Sequence, residues 1–247
     1  MQVWKKPPEH LSIDRSAIHI WRGTYFNKIQ ESINSTNVLS PAEIEKSKRF
    51  VRISDRDRYL FAHTMLRWII SFYIGCKPDS IIFKTNQYGK PALADRVDIS
   101  DIRFSLSHSG DLVLVALRLG NEVGIDVERL REIDDINEII VKNFSDAEVS
   151  FLKNLPRNEL KRSFFLQWVL KESFIKGIGK GLYFPLFEFT VEPKRSIGKN
   201  EHGRFFSVKT TESNNWQCIA LSLDEGYVGA LATESIPEKF CYWNYCP

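Results

Sequence analysis

The sequence predicts an α+β protein of two comparable lobes, and three features of the chain indicate this class. Short segments with the alternating pattern of strands recur between residues 18 and 233. Two stretches carry apolar residues at helical spacing, one ending near Ile74 and the other near Lys176. The turns between the predicted strands are short, which favours antiparallel sheets. We therefore expect each lobe to pack a long helix on a small antiparallel sheet.

In the first half of the chain, a helix is predicted to start after Ser40 and to continue to about Ile74. Ser40 has the place of an N-cap, Pro41 is at the first helical position, and Glu43 completes a capping box. Apolar residues then recur at helical spacing as far as Ile74. Segments with alternation or turn residues predict the strands of this half, at residues 18–23, 81–93 and 102–120.

The second half begins with a predicted strand at residues 121–130 and continues with two helices, at 143–156 and 158–177. Ser145 is placed to cap the first of these helices. Further strands are predicted after a glycine-rich loop, at residues 187–191, 204–210, 216–223 and 227–233. For the tail at 240–247 we expect only that its aromatic side chains pack over a lobe. These segments divide into an N-terminal lobe at 1–121 and a C-terminal lobe at 122–247.

The composition is that of a soluble globular protein. Of 247 residues, 43% are hydrophobic and 26% are charged, and the net charge is +3. So small an excess of positive charge gives no support to a nucleic acid or membrane partner. The longest apolar stretch, residues 66–75, is too short for a membrane span, and no signal sequence is found at the polar N-terminus.

The four cysteines are too few for a disulfide framework in a chain of this size. Cys241 and Cys246 could pair or bind a metal, but no histidine lies near them in the sequence. We expect reduced thiols, and hence a cytoplasmic protein.

The segment GIDVE, residues 124–128, places two carboxylates on one face of a predicted strand. Side chains alternate along a strand, so Ile125 and Val127 point to one face and Asp126 and Glu128 to the other. Two hard oxygen donors without a nearby histidine or cysteine suit Mg²⁺ or Mn²⁺. Taken alone, the segment also fits an ordinary strand with one solvated face.

The segment WVLKESFIKGIGKGL, residues 168–182, predicts a helix that runs into a glycine-rich loop. Glu172 and Lys176 are one turn apart and could form an ordinary ion pair of the helix surface. Three glycines follow, whereas one glycine is enough to end a helix. They indicate that the backbone closely approaches a ligand or another segment.

The segment FSLSHSG, residues 104–110, places Ser107, His108 and Ser109 at the entrance to a turn. It lacks the G-x-S-x-G pattern of a hydrolase, and its donors suit an anion such as phosphate. A surface turn rich in serine fits the same residues. Basic side chains occur near the first helix and in the turn at 89–91, but no P-loop or dinucleotide-binding glycine pattern is present.

Together these three segments resemble the signatures of 4′-phosphopantetheinyl transferases. GKP at 89–91, KSKRF at 46–50 and NFSDAE at 143–148 also look like segments of that family. The resemblance covers residues 40–185 by motif and the whole chain by size. It is to the larger, monomeric class, which activates polyketide and nonribosomal peptide synthetases and, in many bacteria, fatty-acid carriers.

The resemblance implies two pseudo-symmetric α+β lobes with the active site at their interface, in a monomer. It implies transfer of the 4′-phosphopantetheine arm of coenzyme A to a serine of an apo acyl or peptidyl carrier protein. The second product would be adenosine 3′,5′-bisphosphate. The cofactor would be Mg²⁺, for which Mn²⁺ could substitute.

Carried over to this sequence, the family's metal ligands would be Asp126, Glu128 and Glu172. Its catalytic residues would be Glu172, Lys176 and His108. Glu172 would act as general base for the carrier serine, and Lys176 would neutralise the pyrophosphate or protonate the leaving phosphate. The residues that bind coenzyme A would be Lys46, Arg49, Arg58, Lys90, Ser107, His108 and Lys176.

One position departs from the family pattern. Where relatives can carry a second basic residue three positions before Lys46, this chain has Glu43. A carboxylate there would weaken the grip on the 3′-phosphate of coenzyme A. Arg49, three residues after Lys46 on the same predicted helix face, could substitute.

Three other functions fit parts of this pattern. A coenzyme A or carrier-binding protein of the same fold without activity would be free to lose the acidic residues and Lys176, which this chain retains. A nucleic-acid-binding module built on the cluster near Lys46 would show steeply salt-dependent binding, and the small net charge gives it little support. A different metal-dependent phosphoryl transferase would be recognised by its product.

Overall fold

The computed structural model describes residues 2–25, 37–94, 101–194, 203–211 and 215–246, and of Leu182 only the backbone. The helices in this part of the chain are α1 Pro41–Ser47, α2 Ile53–Ile74, α3 Ile136–Asn143, α4 Asp146–Lys153 and α5 Arg157–Ile178. The strands are β1 Ala17–Thr24, β2 Phe83–Thr85, β3 Pro91–Leu93, β4 Ile102–Ser109, β5 Leu112–Leu119, β6 Val123–Arg129, β7 Thr190–Pro193, β8 Arg204–Lys209, β9 Gln217–Leu221, β10 Tyr227–Thr233 and β11 Lys239–Asn244.

The described strands form two larger sheets and one small hairpin. The first sheet has the order β11-β1-β5-β4, the second has the order β6-β10-β9-β8-β7, and β2 pairs only with β3. Neighbouring strands are antiparallel, as predicted, except for β1 and β11, which run parallel. The predicted α+β class is confirmed.

Alternating side chains of the two sheets build the core in layers. Along β5, Val113 and Val115 pack in one cluster with the apolar face of α2, whereas Leu112 and Leu114 pack in another. This second cluster also contains side chains of the second sheet, including Ile219. The opposite face of the second sheet packs against α5. The order of layers is therefore α2, first sheet, second sheet, α5, as expected when each sheet buries both faces.

The helical stretch predicted between Ser40 and Ile74 is two helices. The chain leaves α1 after Ser47, makes tight turns at residues 48–52, and enters α2 at Ile53. The Ser47 hydroxyl donates to the carbonyl oxygen of Ile44 at 2.7 Å, a local bond of the kind that competes with helix continuation. Helix α3 was not predicted by the apolar pattern.

The aromatic tail forms strand β11. Although it belongs by sequence to the predicted second lobe, it pairs with β1 in the first sheet, and Tyr242 is buried between the two sheets. None of the helices that the structure describes combines the length and apolar character needed to cross a membrane. All four cysteines are free thiols.

Candidate active site

Strand β6 presents its two carboxylates as the alternation predicts. Ile125 and Val127 are buried between the sheets, and Asp126 and Glu128 point to the opposite face. Asp126 is only 5% exposed. Burial raises the pKa of Asp126, an effect opposed by the charge and hydrogen bond of Lys176.

Three serines at alternate positions of β4 join this strand to β6. Their hydroxyl oxygens accept hydrogen bonds from backbone N–H groups of β6 at 3.0, 3.4 and 3.1 Å, the pairs being Ser105 with Ile125, Ser107 with Val127 and Ser109 with Arg129. Because β4 and β6 are edge strands of different sheets, these hydroxyls take the place of the carbonyl groups of a neighbouring strand. We call this set the serine ladder.

Two members of the serine ladder also hold the carboxylates. Ser107 donates to Asp126 Oδ1 at 2.8 Å, and Ser109 donates to Glu128 Oε2 at 2.7 Å. Ser107 accepts a further bond from Lys176 Nζ at 2.8 Å. One hydroxyl has a single donor and two acceptor sites, so the capacity of Ser107 is fully used. A direct contact of Ser107 with coenzyme A would have to replace one of these bonds.

Helix α5 places Glu172 and Lys176 one turn apart, facing β6. Lys176 Nζ lies 2.7 Å from Asp126 Oδ1, while Phe174 points into the core. Burial, followed by the charge of Asp126, raises the pKa of the half-buried Glu172 to about 7. The charge of Lys176 opposes this effect and that of Glu128 adds to it. Three carboxylates therefore act on one another at this point of the fold.

The residue types at this point fit a hard divalent cation, but their present contacts are to protein groups. Asp126 is bonded to Lys176 and Ser107, and Glu128 to Ser109 and, at 2.9 Å, to Arg131. Within the described residues, no three His, Cys, Asp or Glu side chains form a group that could hold a metal ion. Carboxylate oxygens that repel one another are nevertheless the donors that Mg²⁺ prefers. The predicted metal set remains a prediction.

The glycines after Lys176 are required for two structural reasons, close packing and a positive φ. A side chain at Gly177 would collide with the Trp216 ring, and one at Gly124 with the Gly177 backbone, so the pair lets α5 lie directly on β6. Gly179 ends α5 in the left-handed conformation with φ of 70°, and Gly181 also has a positive φ. Gly179 and Gly181 line the cavity described next.

A cavity of about 720 Å³ opens beside α5, β4 and α1. The predicted site residues in its wall are Lys46, Lys90, Ser107, His108, Glu172 and Lys176. Asp126 is not a wall residue, but it forms an ion pair with Lys176, which is. Arg49 is exposed, and neither it nor Arg58 is part of the wall. Arg58 instead contacts Asp55 at 3.2 Å and Asp111 at 3.5 Å.

The cationic side chains of the wall differ in how many hydrogen bonds they already form with protein groups. Lys46 is exposed and lies 5.5 Å from the centre of the Tyr59 ring. Lys90 is largely buried and donates to Glu122 and to the carbonyl oxygen of Gly177, so its ammonium group fastens the β2–β3 turn to α5. Burial lowers the pKa of Lys90, an effect opposed by Glu122.

His108 faces the cavity from the end of β4. Desolvation, followed by the charge of Lys176, lowers the pKa of His108, so the imidazole is neutral near pH 7. A neutral ring still offers one N–H group to an anion. His108 is therefore suited to donate a hydrogen bond to a phosphate oxygen, without a full positive charge.

Sequence reasoning missed His63, because no motif in the sequence distinguishes it from His10, His19 and His202. His63 lines the cavity, stacks on Tyr59 with ring centres 4.1 Å apart, and has its Nδ1 3.1 Å from Glu43 Oε1. The available signal was its spacing of four residues from Tyr59 on α2. His202 lies outside the described residues.

Glu43, the position that departs from the family pattern, is held in a buried network. Its carboxylate accepts from Ser40, from His63 and, at 2.9 and 2.8 Å, from the guanidinium group of Arg67. Burial would raise the pKa of Glu43, but the bonds from His63, Arg67 and Ser40 outweigh it and lower the pKa to about 2. The negative charge is thus compensated by Arg67 before any ligand binds.

Comparisons with known proteins assign the family. A model described as the 4′-phosphopantetheinyl transferase superfamily matches residues 122–232, and one described as the 4′-phosphopantetheinyl transferase N-terminal region matches residues 27–119. The 4′-phosphopantetheinyl transferase HetI of Nostoc sp. is 27% identical over 98% of both chains. The 4′-phosphopantetheinyl transferase ffp of Bacillus subtilis is 30% identical over 87% of this chain and 92% of its own.

The 4′-phosphopantetheinyl transferase Sfp of Bacillus subtilis strain 168 is 36% identical over 66% of this chain and 70% of its own. This chain therefore belongs to the 4′-phosphopantetheinyl transferase superfamily. The predicted enzyme class is confirmed at this level, as a phosphopantetheinyl transferase.

Proposed function

We propose that this protein transfers the 4′-phosphopantetheine moiety of coenzyme A to a serine of an apo carrier protein and releases adenosine 3′,5′-bisphosphate. The observation that carries the proposal is the cavity wall, in which Glu172 and Lys176 stand beside Lys46 and His108. Its volume is within the range of small-molecule sites. One ligand in this cavity could therefore meet a proton acceptor, an ammonium group and hydrogen-bond donors for its anionic groups.

In this proposal the wall residues bind and orient the phosphates of coenzyme A. Lys46 supplies an exposed ammonium group, and His108 supplies an N–H donor. Lys90 and Ser107 line the same wall, but their polar groups are bonded to protein partners, so we assign them chiefly to fixing the wall. Arg49 and Arg58 would contribute at most through long-range charge.

Glu172 would take the proton of the carrier serine, because it is an acidic side chain of the wall that forms no ion pair with any residue the structure describes. General base catalysis of this kind typically contributes 10²–10⁴-fold to a rate. Lys176, one turn further along α5, would donate to the oxygen of the leaving phosphate. Before substrates bind, Asp126 and Ser107 hold the Lys176 ammonium group beside the wall, and Ser107 would keep it there during this step.

We propose Asp126, Glu128 and Glu172 as the residues that hold Mg²⁺, with Mn²⁺ as a substitute. The bound ion would screen the pyrophosphate charge and stabilise charge developing on its oxygens. Asp126 can serve in this way if its bond to Lys176 is exchanged, which also frees the ammonium group for the phosphate.

The proposed partners are acyl or peptidyl carrier proteins of fatty-acid, polyketide or nonribosomal peptide pathways. We further propose that the protein acts as a monomer in the cytoplasm. An inactive coenzyme A or carrier-binding protein of the same fold is the alternative that the experiment below distinguishes.

The test is intact-mass spectrometry of a panel of apo carrier proteins incubated with the protein, coenzyme A and Mg²⁺, beside samples containing EDTA. We expect a carrier to gain the mass of phosphopantetheine, and we expect the gain to disappear with EDTA. A gain that persists in EDTA would refute the metal assignment but not the transfer. No gain on any carrier, with coenzyme A still bound, would favour the inactive binding protein.

A further inference from the structure

A second cavity, of about 800 Å³, lies between the N-terminal segment and the strands β1 and β11. Its wall residues are eight members of the segment 2–14, Ala17 and His19 of β1, and residues 239–243 of β11. It shares no wall residue with the candidate active site. Its volume is within the range of sites that bind small molecules.

His19 presents an N–H group to this cavity. The residue is 4% exposed, and its Nδ1 lies 3.2 Å from Trp243 Nε1 and 2.7 Å from the Tyr73 hydroxyl oxygen. An indole N–H can only donate a hydrogen bond, so Nδ1 of His19 accepts and carries no proton. Tyr73 accepts from Trp21 Nε1 at 2.9 Å, which leaves its own hydroxyl proton for His19.

The proton of the neutral ring must then be on Nε2. Burial, followed by the charge of Lys239, lowers the pKa of His19 to about 4, so the ring is neutral near pH 7. Among the described residues, the Nε2–H group of His19 has no hydrogen-bond partner. Nε2 of His19 is not among the fully buried polar atoms that lack a partner, so this donor is accessible from the cavity wall and can bond an acceptor there.

The charges around this cavity favour an anion as that acceptor. Lys5 and Lys239 are in its wall, and neither forms an ion pair within the part of the chain that the structure describes. Asp14 is also in the wall, where its carboxylate accepts from the Ser16 N–H at 2.8 Å and the Ser16 hydroxyl at 2.5 Å and is acted on by the charge of Lys239, so the two lysines leave an excess of one positive charge over this carboxylate. Leu11 and Trp243, which pack in one cluster, add apolar area to the wall, so the site combines positive charge with an apolar surface.

We propose that this second cavity binds a small organic anion. Its carboxylate or phosphate group would accept the hydrogen bond of His19 Nε2, and Lys5 and Lys239 would neutralise its charge. The apolar part of the ligand would lie on Leu11 and Trp243. This site is separate from the proposed transferase reaction, and nothing in the mechanism above uses His19.

The test is NMR of protein labelled with ¹⁵N in its histidines, titrated with benzoate and with phenyl phosphate. The His19 signal is identified by its loss in a His19→Gln variant. We expect the Nε2–H tautomer in the free protein and a saturable shift of this signal with at least one probe in the millimolar range. Replacing both Lys5 and Lys239 by glutamine should weaken binding about 2- to 10-fold, whereas Lys153→Gln on α4 should not.

A response from either probe supports the proposal, and the difference between the two separates carboxylate from phosphate recognition. An Nδ1–H tautomer would overturn it. So would shifts confined to His63 and His108, which face the first cavity, or an unchanged affinity in the double lysine variant.

Discussion

Two helical units of the molecule share a scaffold and differ in their chemistry. The first unit is α1 with α2, and the second is α4 with α5. Each opens with a capping box, from Ser40 to Glu43 and from Ser145 to Glu148. Helices α2 and α5 both have 22 residues, and both end at a glycine in the left-handed conformation, Gly75 with φ of 66° and Gly179 with φ of 70°.

In both units the capping glutamate also binds a buried cation of the long helix. Glu43 contacts Arg67 of α2 at 2.8 Å, and Glu148 contacts Lys171 of α5 at 2.6 Å. Arg67 and Lys171 occupy the same position within their helices. One carboxylate therefore caps a short helix and ties it to the long one in each unit.

The two units differ at the positions that follow this cation. In α5 they are occupied by Glu172 and Lys176, and in α2 the equivalent residues are Trp68 and Phe72. Phe72 is 44% exposed, whereas Glu172 and Lys176 line the cavity. Adjacent residues of one helix thus have separate tasks, because Lys171 belongs to the scaffold and Glu172 and Lys176 belong to the site.

The largest effect is expected from Glu172→Gln, which removes the proposed proton acceptor while keeping its shape. We expect kcat to fall by about 10²–10⁴-fold, with little change in the affinity for coenzyme A. The measurement is the rate of carrier modification by intact mass, with coenzyme A binding followed by calorimetry. Glu159→Gln, an exposed position at the start of α5, is the matched control. Near-normal turnover of Glu172→Gln would remove this residue from the mechanism.

A large loss of stability is expected from Lys171→Met, which leaves Glu148 buried without its cation. Breaking a buried pair in this way typically costs about 3–5 kcal/mol in the free energy of unfolding. Urea denaturation followed by circular dichroism measures it, and Arg67→Met should give a similar loss in the first unit. The double variant Lys171→Met with Glu148→Gln should recover part of the stability. A change below about 1 kcal/mol, the range of surface pairs, would contradict the scaffold role.

A pH dependence is expected from Glu43, whose pKa falls from its ordinary value of 4.5 to about 2 on folding. A lowered pKa stabilises the fold above pH 4.5, and this contribution is lost as the pH falls through 2. We expect Glu43→Gln to be less stable at pH 7 by up to about 3 kcal/mol. The difference in free energy of unfolding between this variant and the unchanged protein should become smaller as the pH is lowered. Urea denaturation at several pH values measures it, and a difference independent of pH would show that the charge of Glu43 is not involved.

The smallest effect is expected from Ser109→Ala, which removes one step of the serine ladder. Loss of the bonds to Glu128 and the Arg129 N–H should cost about 0.5–1.5 kcal/mol in the free energy of unfolding. Hydrogen exchange at Arg129 should become faster, while Ser150→Ala on the exposed face of α4 changes neither quantity. Unchanged exchange would mean that the hydroxyl does not protect this strand.

Local signals in the sequence predicted much of this arrangement. The capping box of α1 and the capping place of Ser145 were recognised from local spacing, whereas the pairing of Ser145 with Glu148 was not. The facing of Asp126 and Glu128 followed from strand alternation, and the long helix at α5 followed from its apolar stripe. The family resemblance then brought Glu172, Lys176 and His108 into one hypothesis, and the structure places these three in one cavity wall.

Contacts between distant residues could not be predicted from the same signals. Lys171 appeared to be one more charge on a helix, and its burial depends on Glu148 and the Phe189 carbonyl oxygen, both far away in sequence. Lys90 and Arg58 likewise form ion pairs with residues far away in sequence, Glu122 and Asp111. Two similar lobes were expected, but the ion pair that both helical units share was not, because Arg67 and Lys171 have the same position and charge but little of their sequence context in common.

Strand β11 has a consequence for the order in which the protein is built. It is the last of the strands that the structure describes, yet it completes the sheet that contains β1. During synthesis at about 5–20 residues per second, β1 waits roughly 10–40 s for its parallel neighbour. The exposed edge of β1 must remain unpaired for that time, so a ribosome that stalls late leaves the earliest sheet, not the latest, unfinished.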